Sequence, residues 1–217
     1  IYSEGGHHWF SAGLVDGNYA QTGIYSGETQ LLLDFDLRKI HPLEADISMT
    51  PGCGWGPDGI WSGLTATIAY GHIGFLPFGD VTEAARYYYL IQQLQSRYTM
   101  EPVASVLYHK DGELRDVSRA IKDDALGSNQ VVVTYQNGLQ VAANYNSDRP
   151  WTVTLGGREM TLSGFSWAAA ADDLQELCTL SEGRRLGYVD CPAYLFADAG
   201  GKWHDFGPIA TDGTVVL

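Results

Sequence analysis

Val131-Val132-Val133-Thr134-Tyr135-Gln136-Asn137-Gly138-Leu139-Gln140-Val141-Ala142-Ala143-Asn144-Tyr145 decides how the second half of this chain folds. Val131 to Gln136 and Leu139 to Tyr145 are two strand-like runs. The Asn137-Gly138 pair between them is the strongest short-range hairpin signal, because these residues tolerate the positive φ of a tight strand reversal. Working outward, Asp111-Gly112, Gly156-Gly157, Gly200-Gly201 and Asp212-Gly213 add four further two-residue turn candidates. Strands at this density predict an antiparallel β-sandwich over residues 102–217.

The texture changes near Glu101-Pro102. Asp80 and Glu83 are spaced as the first and last members of a capping box. Ala84, Tyr87, Tyr88, Ile91, Leu94 and Tyr98 follow at three- and four-residue steps, the period of one helix face. Pro102 ends the helix. Upstream, Thr67-Ile68-Ala69-Tyr70 and the glycines at 71, 74 and 79 read as a strand and a loop leading into that helix. Gln30 to Asp36 and Ile1 to Gly6 repeat this grammar, each an apolar strand that becomes acidic at its C-terminal end. Three such units predict that residues 1–101 are the last units of a (β/α)8 catalytic barrel. The expected fold class is therefore α/β plus all-β, an incomplete TIM barrel followed by a sandwich, with a packed interface between the halves. A complete barrel needs ~250 residues, so the missing N-terminal barrel units of the same protein are an expected partner, and the chain reads as cut from something longer.

Composition narrows the function. The chain has 217 residues, 45% hydrophobic and 18% charged, enough for a packed core. Its formal net charge of −13, from 13 Lys and Arg against 26 Asp and Glu, argues against a basic face for nucleic acid or anionic lipid. No apolar run approaches the ~18 residues of a membrane span, and no signal peptide is present. The 26 glycines and 12% aromatics suit turn-rich β structure and stacking surfaces for sugars. Cys53, Cys178 and Cys191 match no zinc or redox spacing. Cys178 and Cys191 both fall in the β-rich half, which leaves open a disulfide in an oxidising compartment or buried free thiols.

The richest stretch for chemistry is Ser3-Glu4-Gly5-Gly6-His7-His8-Trp9-Phe10, followed by Asp16-Gly17-Asn18-Tyr19. Cleaving a glycosidic bond takes one carboxyl to protonate the leaving oxygen and another to attack or to activate water. Glu4, at a strand end before two glycines, is the catalytic candidate; a turn-capping Glu is the structural alternative. His7, His8, Asp16 and Tyr19 offer hydrogen bonds to hydroxyls, and Trp9 offers a stacking face. Asp34 and Asp36 share one face of a strand, with Arg38 placed to hold one ionised, as a second carboxylate, a hydroxyl-binding pair or a salt-bridged cluster. Trp55 in its Gly-rich loop and His72 after Tyr70-Gly71 complete the expected substrate contacts. Core anchoring of either is the rival. No metal and no cofactor are expected, and a metal site from Asp34, Asp36 and His41 matches no familiar loop.

Tyr2-Ser3-Glu4-Gly5 with His8-Trp9, then Ala12-Gly13-Leu14-Val15-Asp16-Gly17-Asn18-Tyr19, resembles the late barrel region of large bacterial glycoside hydrolases, of the endo-α-N-acetylgalactosaminidase-like group. Val132 to Val141 with Asn144 and Trp151-Thr152-Val153 resembles the β domain that follows such barrels. The resemblance implies an Asp nucleophile and a Glu acid/base on barrel strands. Glu4 alone carries over, as acid/base, with the partner carboxylate on an earlier strand. It also implies a carbohydrate substrate and an extracellular or periplasmic location. The reading from another class is a non-catalytic carbohydrate-binding or structural module of a cell-surface protein.

Overall fold

The computed structural model describes residues 2–4, 17–19, 43–44, 60–71, 73, 74, 76, 81–207 and 214–216. Three short strands come first: β1 (Tyr2–Glu4), β2 (Gly17–Tyr19) and β3 (Leu43–Glu44), paired in parallel in the order β1-β2-β3. Two helices follow, α1 (Ile60–Tyr70) and α2 (Val81–Tyr98). The strands of the second half are β4 (Val103–Lys110), β5 (Glu113–Arg115), β6 (Gln130–Tyr135), β7 (Gln140–Asn144), β8 (Trp151–Leu155), β9 (Arg158–Leu162), β10 (Ser166–Ala171), β11 (Leu174–Ser181), β12 (Arg184–Cys191), β13 (Tyr194–Asp198) and β14 (Thr214–Val216). A short helix α3 (Val117–Lys122) sits between β5 and β6, its first turn capped by the Asp116 carboxylate, which accepts from the Arg119 N–H at 2.8 Å.

Nine of these strands form one sheet in the order β14-β13-β12-β11-β10-β7-β6-β4-β5, antiparallel throughout except for the parallel β13–β14 pair. β8 and β9 form a separate hairpin. Helices α1 and α2 pack on one face of the sheet, and the hairpin packs on the other. The helix-side core joins Ile68, Leu90, Leu94 and Tyr98 to Tyr108, Val133, Trp167 and Cys178, so apolar residues from both sides of residue 101 share it. The hairpin-side core is smaller, with Trp151, Val153, Leu155 and Leu162 over Val132, Ala142, Ala168 and Ala170.

The barrel expectation is corrected here. Thr67 to Tyr70, expected as a barrel strand, lies inside α1, and no strand–loop–helix unit of barrel type occurs among the described residues. The physical reason is that a short apolar run does not distinguish a buried strand from a buried helix by period. Trp61 is partly buried and residues 62–71 are buried all round, so the run has no polar face to reveal its 3.6-residue repeat. The two-sheet sandwich is corrected as well. The face that a second sheet would cover carries α1 and α2, and among the described residues the opposite face carries one hairpin and the segment 204–206 rather than a second sheet.

The hairpin of the opening stretch is present, one residue longer than a two-residue loop. The Gly138 N–H donates to the Tyr135 carbonyl at 3.0 Å and the Tyr135 N–H to the Leu139 carbonyl at 2.8 Å, with Gly138 at φ 86°. This is a turn closed by a left-handed glycine. The Asn137 side chain also donates to the Arg97 carbonyl at 3.0 Å, fastening the turn to the C-terminal end of α2. In α2 the buried residues are Tyr87, Leu90, Ile91, Leu94 and Tyr98; Leu90 replaces the expected Tyr88, which is exposed. Cys178 and Cys191 are buried and form no disulfide. Cys178 pairs in register with Gly187, four residues from Cys191 along β12, or about 13 Å. That separation is too great for a disulfide.

Candidate ligand-binding cleft

Side chains alternate along β11. Leu174, Glu176 and Cys178 face the helices, while Leu177, Thr179 and Ser181 face the hairpin side. On that side the β8–β9 hairpin lies over β7, β10 and β11. Beyond it opens a cleft of about 290 Å³. One wall is Arg158, Glu159, Met160 and Thr161 of β9. The floor is Leu177, Thr179, Ser181 and Leu186, and the far wall is His204, Asp205 and Phe206.

The far wall is held by named contacts. The Phe206 ring stacks on Tyr188 at 5.1 Å and 14°, and His204 meets Phe206 edge to face at 4.7 Å. Arg158 donates from Nη1 to the Gln175 Oε1 and from Nη2 to the Phe206 carbonyl. Beneath the stack the Tyr188 hydroxyl donates to Asp190 Oδ2 at 3.2 Å. Burial, with the nearby Asp190 charge, pushes the phenol up to about 12. Asp205 Oδ1 accepts from the Gly207 N–H at 2.8 Å. Gly207 sits at φ 86°, and a Cβ there would lie 2.8 Å from Arg158 Nη2, so a side chain would be strained by the backbone and would displace the guanidinium. Trp203, just before this wall, is 86% exposed.

A second group with chemical potential is sealed in the helix-side core. Glu176 is 1% exposed, and Trp167 Nε1 donates to its Oε1 at 2.6 Å. Its Oε2 has no hydrogen-bond partner among the described residues. Burial pushes this carboxyl up to about 8, against the opposing pull of the Trp167 bond and the Arg97 charge. The Arg86 guanidinium, 5.2 Å from the Trp61 ring centroid, and the Arg185 guanidinium, 4.6 Å from it, both lie over that ring. Arg86 Nε also pairs with Asp198 Oδ2 at 2.7 Å. These groups pin α1 and α2 to the sheet.

Of the residues expected to carry chemistry, Glu4 and Tyr19 lie on described strands. They are register partners at the carboxyl ends of the parallel strands β1 and β2. His7, His8, Trp9, Asp16, Asp34, Asp36, Arg38, Trp55 and His72 lie outside the described residues. Sequence reasoning missed the cleft. Its signal was Trp203-His204-Asp205-Phe206, which combines aromatic, imidazole and carboxylate groups as the Glu4–Trp9 stretch does, set in a segment with no strand or turn pattern to draw attention.

No protein-family model matches the chain, and no curated protein or solved structure matches it either.

Proposed function

We propose that the nine-stranded sheet and its hairpin form a carbohydrate-binding module and that the cleft between β9 and residues 204–206 holds the sugar. The observation that carries this reading is the lining. Ser163 and Ser181 supply hydroxyls beside the buried Thr179, His204 and Asp205 offer further polar contacts, and Phe206, Met160 and Leu177 add apolar surface. A sugar needs both kinds of surface, because its hydroxyls must be satisfied while its C–H faces are removed from water. The volume, about 290 Å³, lies at the lower end of small-molecule sites and suits a short saccharide segment. Titration of the chain with glycan oligosaccharides by calorimetry tests the reading. Binding should weaken at least tenfold in Phe206→Ala, and equal binding by wild type and Phe206→Ala refutes it.

A second reading, that the chain is part of a glycoside hydrolase, rests on the parallel pairing of Glu4 with Tyr19. In open parallel sheets, ligands bind beyond the carboxyl ends of the strands, and Glu4 occupies such an end. Glu4→Gln should lower hydrolysis of unactivated glycans at least a hundredfold, in keeping with loss of a general acid, and lower it far less for aryl glycosides. A change of less than tenfold on natural glycans, about 1.4 kcal/mol in barrier, refutes that role.

A further inference from the structure

We infer that Asn137-Gly138 is a site of spontaneous deamidation, held back by the folded turn, whose products unfasten that turn from α2; the inference is independent of what the cleft binds. Of the chain's asparagines, only Asn137 is followed by glycine. Glycine has no Cβ to screen its backbone nitrogen, so the Gly138 nitrogen is open to attack the neighbouring side chain. That nitrogen gives up its proton to base and bonds to the Asn137 Cγ. The Cγ–Nδ2 bond breaks, ammonia leaves with a proton from solvent, and a five-membered imide remains. Water then opens the ring, giving aspartate where the bond at Cγ breaks and isoaspartate where the bond at the backbone carbonyl breaks. The net change is water in and ammonia out, with nothing oxidised or reduced. The folded turn opposes each early step. The Gly138 N–H donates to the Tyr135 carbonyl at 3.0 Å, which opposes loss of its proton. The Asn137 carboxamide is held at both ends, Nδ2 donating to the Arg97 carbonyl at 3.0 Å and Oδ1 accepting from the Leu139 N–H at 3.0 Å. Swinging Cγ onto the Gly138 nitrogen releases both bonds, so the reaction runs through an opened turn. Both residues are exposed, and water reaches the ring once it forms. Neither product has an Nδ2 to donate to the Arg97 carbonyl. Aspartate sets a carboxylate against the carbonyl end of α2, where the helix dipole is negative. Isoaspartate adds a backbone atom to a turn whose length sets the strand register.

The test ages the whole chain at pH 8 and 37 °C, in buffer and in guanidinium chloride above its unfolding midpoint, and locates aspartate and isoaspartate by mass spectrometry of its peptides. In denaturant, Asn137 should convert before any other asparagine. In buffer its conversion should be at least tenfold slower. Asn137→Asp, which reproduces one product, should unfold at lower denaturant than wild type. Earlier conversion of another asparagine in denaturant overturns the assignment of the site. Equal rates in the two conditions overturn its protection by the turn, and Asn137→Asp as stable as wild type overturns the unfastening. The rate comparison uses wild type alone, so it decides the first two points whether or not the variant folds.

Discussion

Replacing Glu176 by glutamine should remove a pH dependence of stability whose size follows from its burial. In the folded chain the carboxyl titrates near 8, because desolvation outweighs the Trp167 hydrogen bond and the Arg97 charge; its ordinary value is 4.5. Between these two values the folded chain holds one more proton than the unfolded chain, so stability falls as pH rises, by about 1.4 kcal/mol per unit. Below 4.5 both states are protonated and nothing is lost. Above about 8 the loss is complete. The full interval sets a ceiling of about 5 kcal/mol, a large part of the stability of a domain. Glutamine keeps an acceptor for the Trp167 N–H and cannot ionise. Urea unfolding followed by tryptophan fluorescence at half-unit steps from pH 4.5 to 8.5 gives the difference between wild type and Glu176→Gln, in which the other titrating groups cancel. The two proteins should be of similar stability at pH 4.5, and the variant should be more stable by about 3 kcal/mol at pH 7. Parallel curves across the range would refute the reasoning, as would a variant that loses stability at neutral pH.

Two further outcomes follow from the same sheet. Gly156 and Gly157, at φ 55° and 77°, turn the β8–β9 hairpin, and a Cβ at Gly157 meets nothing within 4 Å while one at Gly156 comes within 3.0 Å of the Ala170 Cβ. Gly157→Ala should therefore cost only backbone strain, about 1–2 kcal/mol, and Gly156→Ala should cost more, as read by urea midpoints. Burial pushes the Cys178 thiol up to about 12, so at pH 8 its labelling by an aromatic disulfide, located by mass spectrometry, should proceed only as fast as the chain opens; rapid labelling of folded protein would contradict its sealed position.

The antiparallel sheet was legible because its turns are local. Asn137-Gly138 and Gly156-Gly157 adopt left-handed backbone at one or both positions, and a reversal needs no information from distant residues. The turn at Glu182-Gly183, with φ 51° and 74°, uses the same chemistry with a residue pair that is weaker as a signal. Helix α2 was legible because one face is polar. Helix α1 was not, because its burial erased the period that separates helix from strand. The cleft was illegible for a different reason. Arg158, Tyr188 and Phe206 meet only after β9, β12 and the segment beyond β13 are brought together, and no spacing within one segment encodes that meeting. Glu176 shares a strand face with Leu174 and Cys178, and the burial of its carboxyl depends on the helices packed over that face.

The place of the cleft follows from a mismatch of widths. Neighbouring strands lie about 4.8 Å apart, so the two-stranded β8–β9 hairpin shields only two or three strands of a nine-stranded sheet. On the opposite face α1 and α2 bury Leu90 and Leu94 against the sheet and seal Glu176 beneath them. On the hairpin face, β12 extends past the shield with Leu186 and Tyr188 directed outward. These apolar surfaces need a cover, and residues 204–206 supply one, Phe206 stacked on Tyr188 and its carbonyl bound by Arg158. Two covers of different origin, a hairpin and an extended segment, meet side by side over one floor. Arg158 ties the two covers together through the Phe206 carbonyl, and the cleft runs along their seam.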